Sequence, residues 1–273
     1  MSTSELHGAV PATRVHDRFQ PARSPFSWLL QRECIRYLRI WQYSVLGQIV
    51  YPLMMLLVFG FALSHKVTVA GGIPYDSFML PGLIAQTLMM VGYINGATSL
   101  FDARRDRYIN DVLASPLRWW EINLACVLAA VIRSVITAGA VALAGGLIVH
   151  AQIADPLVLF LGAAGAMLFG AQFGVIIGVY VRTMDQNISV QVLAVQPLSL
   201  LGGTFYSVAS LPSGWRALSH LNPIYYIVQV LRIGLVGRAD CSATLALLVV
   251  WALALALTVW SLRVFYTGRR LRG

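Results

Sequence analysis

"DVLASPLRWWEI", residues Asp111 to Ile122, places charges, a Ser-Pro break and two adjacent tryptophans between two long apolar runs. The runs decide what it interrupts. Of 273 residues, 58% are hydrophobic and only 11% charged, where a soluble domain carries about 25% charged residues. That balance belongs to a chain that crosses a bilayer several times. The net charge of +9 is then read as arginines that orient the chain, not as a nucleic-acid surface. Residues 1–25 are polar, lack the apolar stretch of a secretory signal, and read as a flexible cytoplasmic tail.

A helix needs about 20 apolar residues to cross the hydrocarbon. Six segments meet this requirement, at roughly 43–64, 78–100, 124–149, 157–181, 188–208 and 243–266. Arg14, Arg18, Arg23, Arg32, Arg36 and Arg39 precede the first segment, and Arg104, Arg105, Arg107 and Arg118 lie between the second and third. Arg182 follows the fourth, and Arg263, Arg269, Arg270 and Arg272 close the chain. Those fifteen cations share one side, against Lys66, Arg216, Arg232 and Arg238 on the other. By the positive-inside rule both termini are cytoplasmic, which agrees with an even number of crossings. The expected fold is an all-α polytopic membrane protein with six transmembrane helices.

The opening stretch then falls in a cytoplasmic connection. Before it, Phe101, Tyr108, Ile109, Val112 and Leu113 recur at helical spacing, and Asp102, Arg104, Arg105, Asp106, Arg107 and Asp111 supply a polar face. Ser115 has the character of a helix N-cap and Pro116 of a first helical residue. Trp119 and Trp120 suit the headgroup level. Two readings stand: a bracket that passes force to a soluble partner, and an ordinary solvated hairpin.

Two further segments depart from simple spans. "FSWLLQRECIRYLRIW" (26–41) is amphipathic, with Arg32, Arg36 and Arg39 opposite an apolar stripe. It suits a helix lying in the cytoplasmic interface, as a plain anchor or as a docking surface. "SLPSGWRALSHLNPIYYIVQVLRIGLVG" (210–237) has breaks at Pro212 and Pro223, each followed by helix-like sequence. It reads as a pair of external re-entrant helices between the fifth and sixth spans. Asn222, Pro223 and Arg232 argue against a seventh crossing there, which would also carry the arginine-rich C-terminus outside.

Three stretches together resemble the ABC type-2 (ABC-2) permeases, the membrane subunits of ATP-driven exporters of polysaccharides, lipophilic drugs and other amphipathic compounds. They are "DRYINDVLASPLRWWEI", "GGTFYSVASLPSGWRALSHLNPIYYIVQVLR" (202–232) and "IPYDSFMLPGLIAQ" (73–86). The most specific part is the run of Leu-Pro, Trp215, Asn-Pro and Arg232, and the likeness is greatest to short nodulation-factor and drug-export permeases. The resemblance covers nearly the whole chain from Phe26. It implies a transmembrane domain over 26–266, followed by a basic tail at 267–273. It also implies a coupling helix with Asp106, Tyr108, Ile109, Asp111, Val112 and Leu113, an interface helix presenting Arg32, Glu33 and Arg36, and a re-entrant segment marked by Pro212, Trp215, Asn222, Pro223 and Arg232. Its implied partners are two copies of an ATP-binding-cassette ATPase, a second or homologous permease, and the bilayer of a bacterial inner membrane.

The energy source argues the same way independently. A P-loop needs Gly-x-x-x-x-Gly-Lys-Ser/Thr, whose lysine reaches the phosphates. The single lysine, Lys66, precedes Val67. ATP and Mg are therefore expected in a partner chain, with no cofactor in this one.

Arg133 is the one charge in mid-span, and it serves as a pathway residue or as a paired structural arginine. Gln191, Gln196, Pro197, Ser199, Thr204 and Tyr206 in the fifth span, with Gln86, Thr87, Tyr93 and Asn95 in the second, suit a conduit lining or local hydrogen bonding. Gly170, Gly174 and Gly178 form a ladder for close helix packing, within one subunit or between two. The histidines are scattered, with no HExxH and no Gly-x-Ser-x-Gly, so neither a catalytic site nor a metal site is expected. The competing reading is a secondary transporter or channel that works without ATP. It lacks an Asp or Glu inside any span to carry a proton. A membrane-embedded transferase lacks a catalytic cluster.

Overall fold

The computed structural model describes residues 25–38, 45–64, 68–69, 72–105 and 117–267. Within them the chain is a helical bundle with one minimal hairpin. Helix α1 is Pro25–Leu38. Helix α2 runs through Leu46–Met55, a π-helical turn at Leu56–Gly60, and Phe61–Ser64. Strands β1 (Thr68–Val69) and β2 (Ile73–Pro74) pair antiparallel, Thr68 opposite Pro74 and Val69 opposite Ile73. Then follow α3 (Tyr75–Arg105), α4 (Trp119–Val149) and α5 (Pro156–Tyr180). Helix α6 comprises Met184–Val190, a π-helical turn at Gln191–Val195, and Gln196–Leu201. Helices α7 (Ser213–Leu221), α8 (Pro223–Val236) and α9 (Ala243–Thr267) complete the chain.

Among the described residues four helices, α3, α4, α5 and α9, are long and apolar enough to cross a membrane. Each reproduces an expected span within a few residues. The other two expected spans correspond to α2 and α6, and both are interrupted. Pro197 has no N–H to offer the Leu193 carbonyl. The backbone widens just before it, where the Gln196 N–H reaches the Gln191 carbonyl, a five-residue step. The fifth expected span, 188–208, is shorter than anticipated, since the helix stops at Leu201 and Gly203 turns the chain at φ +81°.

Side chains at the helix ends account for several boundaries. Helix α4 starts at Trp119, where the Glu121 carboxylate accepts from the Arg118 N–H at 2.6 Å. Ser115 and Pro116, the expected start, lie outside the described residues. Asp155 caps α5 by accepting from the N–H groups of Leu157 and Val158, with Pro156 at the first helical position. Asn222 does the same for α8 toward Ile224, ahead of Pro223, and Gly237 ends α8 at φ +75°. These fixed starts explain why 213–236 forms two short helices. At 14 residues and 1.5 Å per residue, α8 is roughly 21 Å long, less than the ~30 Å hydrocarbon core.

The core is built on α3, buried on nearly every face, and α3 packs most extensively against α5. In lipid there is no hydrophobic gain between helices, so close van der Waals fit must hold them. The glycine ladder supplies it within one chain. A Cβ at Gly170 would stand 2.6 Å from the Met89 carbonyl oxygen, and one at Gly178 2.8 Å from that of Ala97. From the other side, a Cβ at Gly92 would meet the Ala171 nitrogen at 2.9 Å. Helix α8 leans on α5 in the same manner, since a Cβ at Gly234 would lie 2.7 Å from the Leu159 Cα. Helix α9 is the opposite case, with Leu248, Leu255 and Trp260 exposed.

Candidate functional site

One polar network joins α1 to the C-terminal end of α3. Amphipathic spacing sets α1 against the bundle on one side, and that side includes Glu33, only 2% exposed. A buried carboxylate needs partners, and among the described residues it has two: Arg36 Nη2 at 3.0 Å and the Ser99 hydroxyl, which donates at 2.8 Å. Arg36 continues to Asp102, Nη1 to Oδ2 at 2.7 Å, and donates to the Thr98 carbonyl at 3.2 Å. Arg105 lies 3.4 Å from the other Asp102 oxygen. Helix α1 is thereby hooked onto a long helix by charge-assisted bonds. Cys34, between these charges, has its thiol pushed up by burial and by Glu33. Arg32 lies over the Trp28 ring at 5.6 Å. The expected coupling residues Asp106, Tyr108, Ile109, Asp111, Val112 and Leu113 lie outside the described residues.

At the opposite end of α3 a second network fixes the turn 202–208. Arg232 of α8 is 1% exposed. Its guanidinium stands 3.8 Å from the Phe78 ring centroid, and Nη2 donates to the Gly203 carbonyl at 2.7 Å. The Tyr75 hydroxyl donates to the Phe205 carbonyl at 2.9 Å. Asp240 holds the far side of the turn, accepting from the Val208 N–H at 3.2 Å and from Ser207 at 3.0 Å, while its own N–H donates to Gln229. Thr204 is fully buried against Gly82, and Tyr206 is half-buried. Pro212 and Trp215 sit exposed at the start of α7, and Asn222 ties that hairpin to α6 by donating to the Leu198 carbonyl at 2.6 Å.

Between the two ends lies a cleft of about 190 Å³ among α2, α3 and α6. Gln48, Gln86, Thr87, Gln191 and Gln196 supply its polar lining, beside Tyr51 and Met90. The two interrupted helices form its walls. Arg133, 7% exposed on α4, stands behind it with Nη2 3.4 Å from the Gln48 amide oxygen.

A family model described as "ABC-2 type transporter" matches residues 24–236. The chain belongs to the ABC-2 type transporter family. Among its relatives, the "Inner membrane transport permease YadH" of Escherichia coli (strain K12) is 33% identical over 248 residues, covering 88% of this chain and 94% of that protein. "Nodulation protein J" of Sinorhizobium fredii is 24% identical over 79% of this chain and 83% of its own length. The protein of that name in Neorhizobium galegae is 20% identical over 80% and 83%.

In this ABC-2 transporter the sequence-derived lining residues separate. Gln86 and Gln196 meet in the cleft, and Arg133 stands directly behind it. Pro197 is exposed beside it. Tyr93 and Asn95 are inside the bundle, Tyr93 donating to the Asn187 side chain at 2.8 Å. Thr204 and Tyr206 belong to the Arg232–Asp240 end. Sequence reasoning missed Gln48, Asp102 as the partner of Arg36, and Asp240; Gln191, read with the fifth span, does line the cleft. For Gln48 the available signal was a polar residue four positions before Pro52, inside an apolar span.

Proposed function

We propose that this ABC-2 chain is the permease subunit of an ATP-driven exporter in the bacterial inner membrane, moving a lipophilic or lipid-linked cargo. On this reading α2 and α6 cross the bilayer along with the four long helices, giving six spans with both termini cytoplasmic. Helices α7 and α8 enter the outer leaflet without crossing. Two ATP-binding-cassette ATPase subunits supply ATP hydrolysis with Mg, and a second or homologous permease completes the transporter.

One observation carries the reading: a family match over 24–236 in a chain whose single lysine cannot form a P-loop. Nucleotide-driven work must then enter by contact. The Arg36 bonds to Asp102 and Thr98 give it a rigid route, because displacing α1 displaces the end of α3. The other end of α3 contacts the turn fixed by Arg232. Rocking of α3 therefore shifts the population between two arrangements of the cleft, driven by differential contacts of the ATPases with the two states.

The test is the purified permease–ATPase complex carrying Asp111→Arg with Val112→Asp. The expected result is an assembled complex whose ATPase activity no longer responds to the permease. Unchanged activity in an assembled complex contradicts coupling through this segment.

A further inference from the structure

Helix α6 is fastened at both ends and weakened between them. At one end Arg104, near the close of α3, reaches across to the last turn of α5. Its Nη1 donates to the Val179 carbonyl at 3.0 Å, and its Nη2 donates to the carbonyls of Val181, at 2.8 Å, and Gly178. The final carbonyls of a helix have no partner within it, and a cation there also meets the negative end of the helix dipole. Only residues 181–183 separate α5 from α6, so the same guanidinium fixes where α6 begins. One turn into α6 the Tyr93 hydroxyl of α3 donates to the Asn187 side chain at 2.8 Å, and both residues are buried. The outer part of α6 is held by other elements. Asn222 donates to the Leu198 carbonyl, and Arg232 of α8 to the Gly203 carbonyl just beyond the helix. Between the two parts lies the π-helical turn Gln191–Val195, followed by Pro197. A wide turn and a proline are recognised causes of a bend in a helix. Val192 and Leu193 are exposed at this turn, and Gln191 and Gln196 line the cleft on either side of it.

We infer that α6 is a jointed helix. Arg104 and Tyr93 make its inner part, Met184–Val190, move with the driven end of α3, while its outer part stays with α8, and the joint at Gln191–Val195 bends the cleft wall. The inference rests on the proposed role of the chain as a permease and names the step by which motion of α3 reaches the cleft. Helix α3 then works as a lever with its fixed end at Phe78, under Arg232, and its driven end at Asp102, bound by Arg36. Arg104 lies two residues beyond Asp102, so displacement of that end arrives at the close of α5 and the start of α6 together. Neither Arg104 nor Tyr93 lines the cleft. Both are positioning residues, acting on its wall through Val181 and Asn187. The inner part has 7 residues and is roughly 10 Å long at 1.5 Å per residue. A kink of about 20° at the joint moves its far end by roughly 3–4 Å.

The experiment is double electron–electron resonance on the full-length chain in phosphatidylcholine nanodiscs, diluted with unlabelled chain. Spin labels are attached through p-acetylphenylalanine, one pair at Ser189 and Leu248 and the other at Leu200 and Leu248, all exposed positions. The expected result is that Arg104→Gln combined with Tyr93→Phe broadens or shifts the Ser189 distribution by roughly 3–4 Å and leaves the Leu200 distribution unchanged. Tyr93→Phe alone, which removes one hydroxyl, should give a smaller change of the same kind, again confined to Ser189. Arg104→Lys, which keeps a cation at the end of α5, should stay close to the wild type. An unchanged Ser189 distribution in the double variant overturns the inference, as does an equal change at both pairs in the double variant and in Tyr93→Phe. In the permease–ATPase complex, ATP should move the Ser189 label and not the Leu200 label, and equal movement of both overturns the inference. The nanodisc measurement involves no ATPase, so the two readings fail separately. A change confined to Ser189 in a chain that binds no ATPase sinks only the exporter reading.

Discussion

Arg232 rests on Phe78, its guanidinium carbon 3.8 Å from the ring centroid, and so ties the short helix α8 to the first turns of the most buried helix, α3. The pair holds a full charge that, among the described residues, has one hydrogen-bond acceptor, the Gly203 carbonyl. A desolvated cation–π contact contributes about 2 kcal/mol or more. Phe78→Leu should therefore lower the melting midpoint of the detergent-solubilised protein by several degrees. Combined with Arg232→Met, the loss should be less than the sum of the two single losses, because the second change removes the stranded charge. Strictly additive midpoint shifts would show that the contact contributes nothing. Asp240→Asn should weaken the same turn by about 1.5–3 kcal/mol through its bonds to Ser207 and Val208.

The α1 network makes a second asymmetric prediction. Arg36→Met leaves Glu33 buried without its cation, a change that costs about 3–5 kcal/mol in a fully buried pair. Arg36 is 21% exposed in its side chain, so the loss should fall below that range. Adding Glu33→Gln should restore part of it. Thermal melts of the single and double variants measure the difference, and a double variant worse than Arg36→Met alone would contradict the assignment.

Helix packing is tested by two glycines of similar sequence context. Gly174→Ala places a methyl 2.8 Å from the Tyr93 Cα and must push α3 from α5. Gly139→Ala on α4 meets nothing within 4 Å and should be neutral, or stabilising by up to about 1 kcal/mol. Expression level and melting midpoint should both fall for the first and hold for the second.

Cys34 gives a pH prediction. Burial first and Glu33 second push its thiol up. A raised thiol favours the protonated form in the folded protein. Its contribution to stability is complete below the unfolded-state value and is lost as pH rises through the folded one. Alkylation of Cys34 by iodoacetamide should therefore be slow at a pH where a free cysteine reacts, and should accelerate in Glu33→Gln. Labelling at the rate of free cysteine would contradict the buried, carboxylate-flanked position.

Much of this architecture was legible in the sequence, for physical reasons that also set the limit. Span length in an apolar solvent depends only on hydrocarbon thickness, so α3, α4, α5 and α9 could be located to within a few residues. Pro212, Asn222 and Pro223 act locally, so the break between α7 and α8 was visible too. What escaped was tertiary. A span that is apolar all round has no amphipathic direction, and nothing in the spacing of Tyr93 and Asn95 tells a bundle interior from a conduit. Asp240 lies in a short polar connection and acquires its role only when α8 brings it to Ser207. Glu33 is expected among the residues that α1 presents to the ATPase, yet Ser99 and Arg36 allow it to be buried.

The central claim, that work enters this permease from separate ATPase subunits, is tested most directly by native mass spectrometry of the tagged chain purified from its own membranes. The account predicts an assembly of two permease chains with two ATP-binding-cassette ATPase chains. An assembly containing this chain alone, or with partners that carry no P-loop, would contradict it.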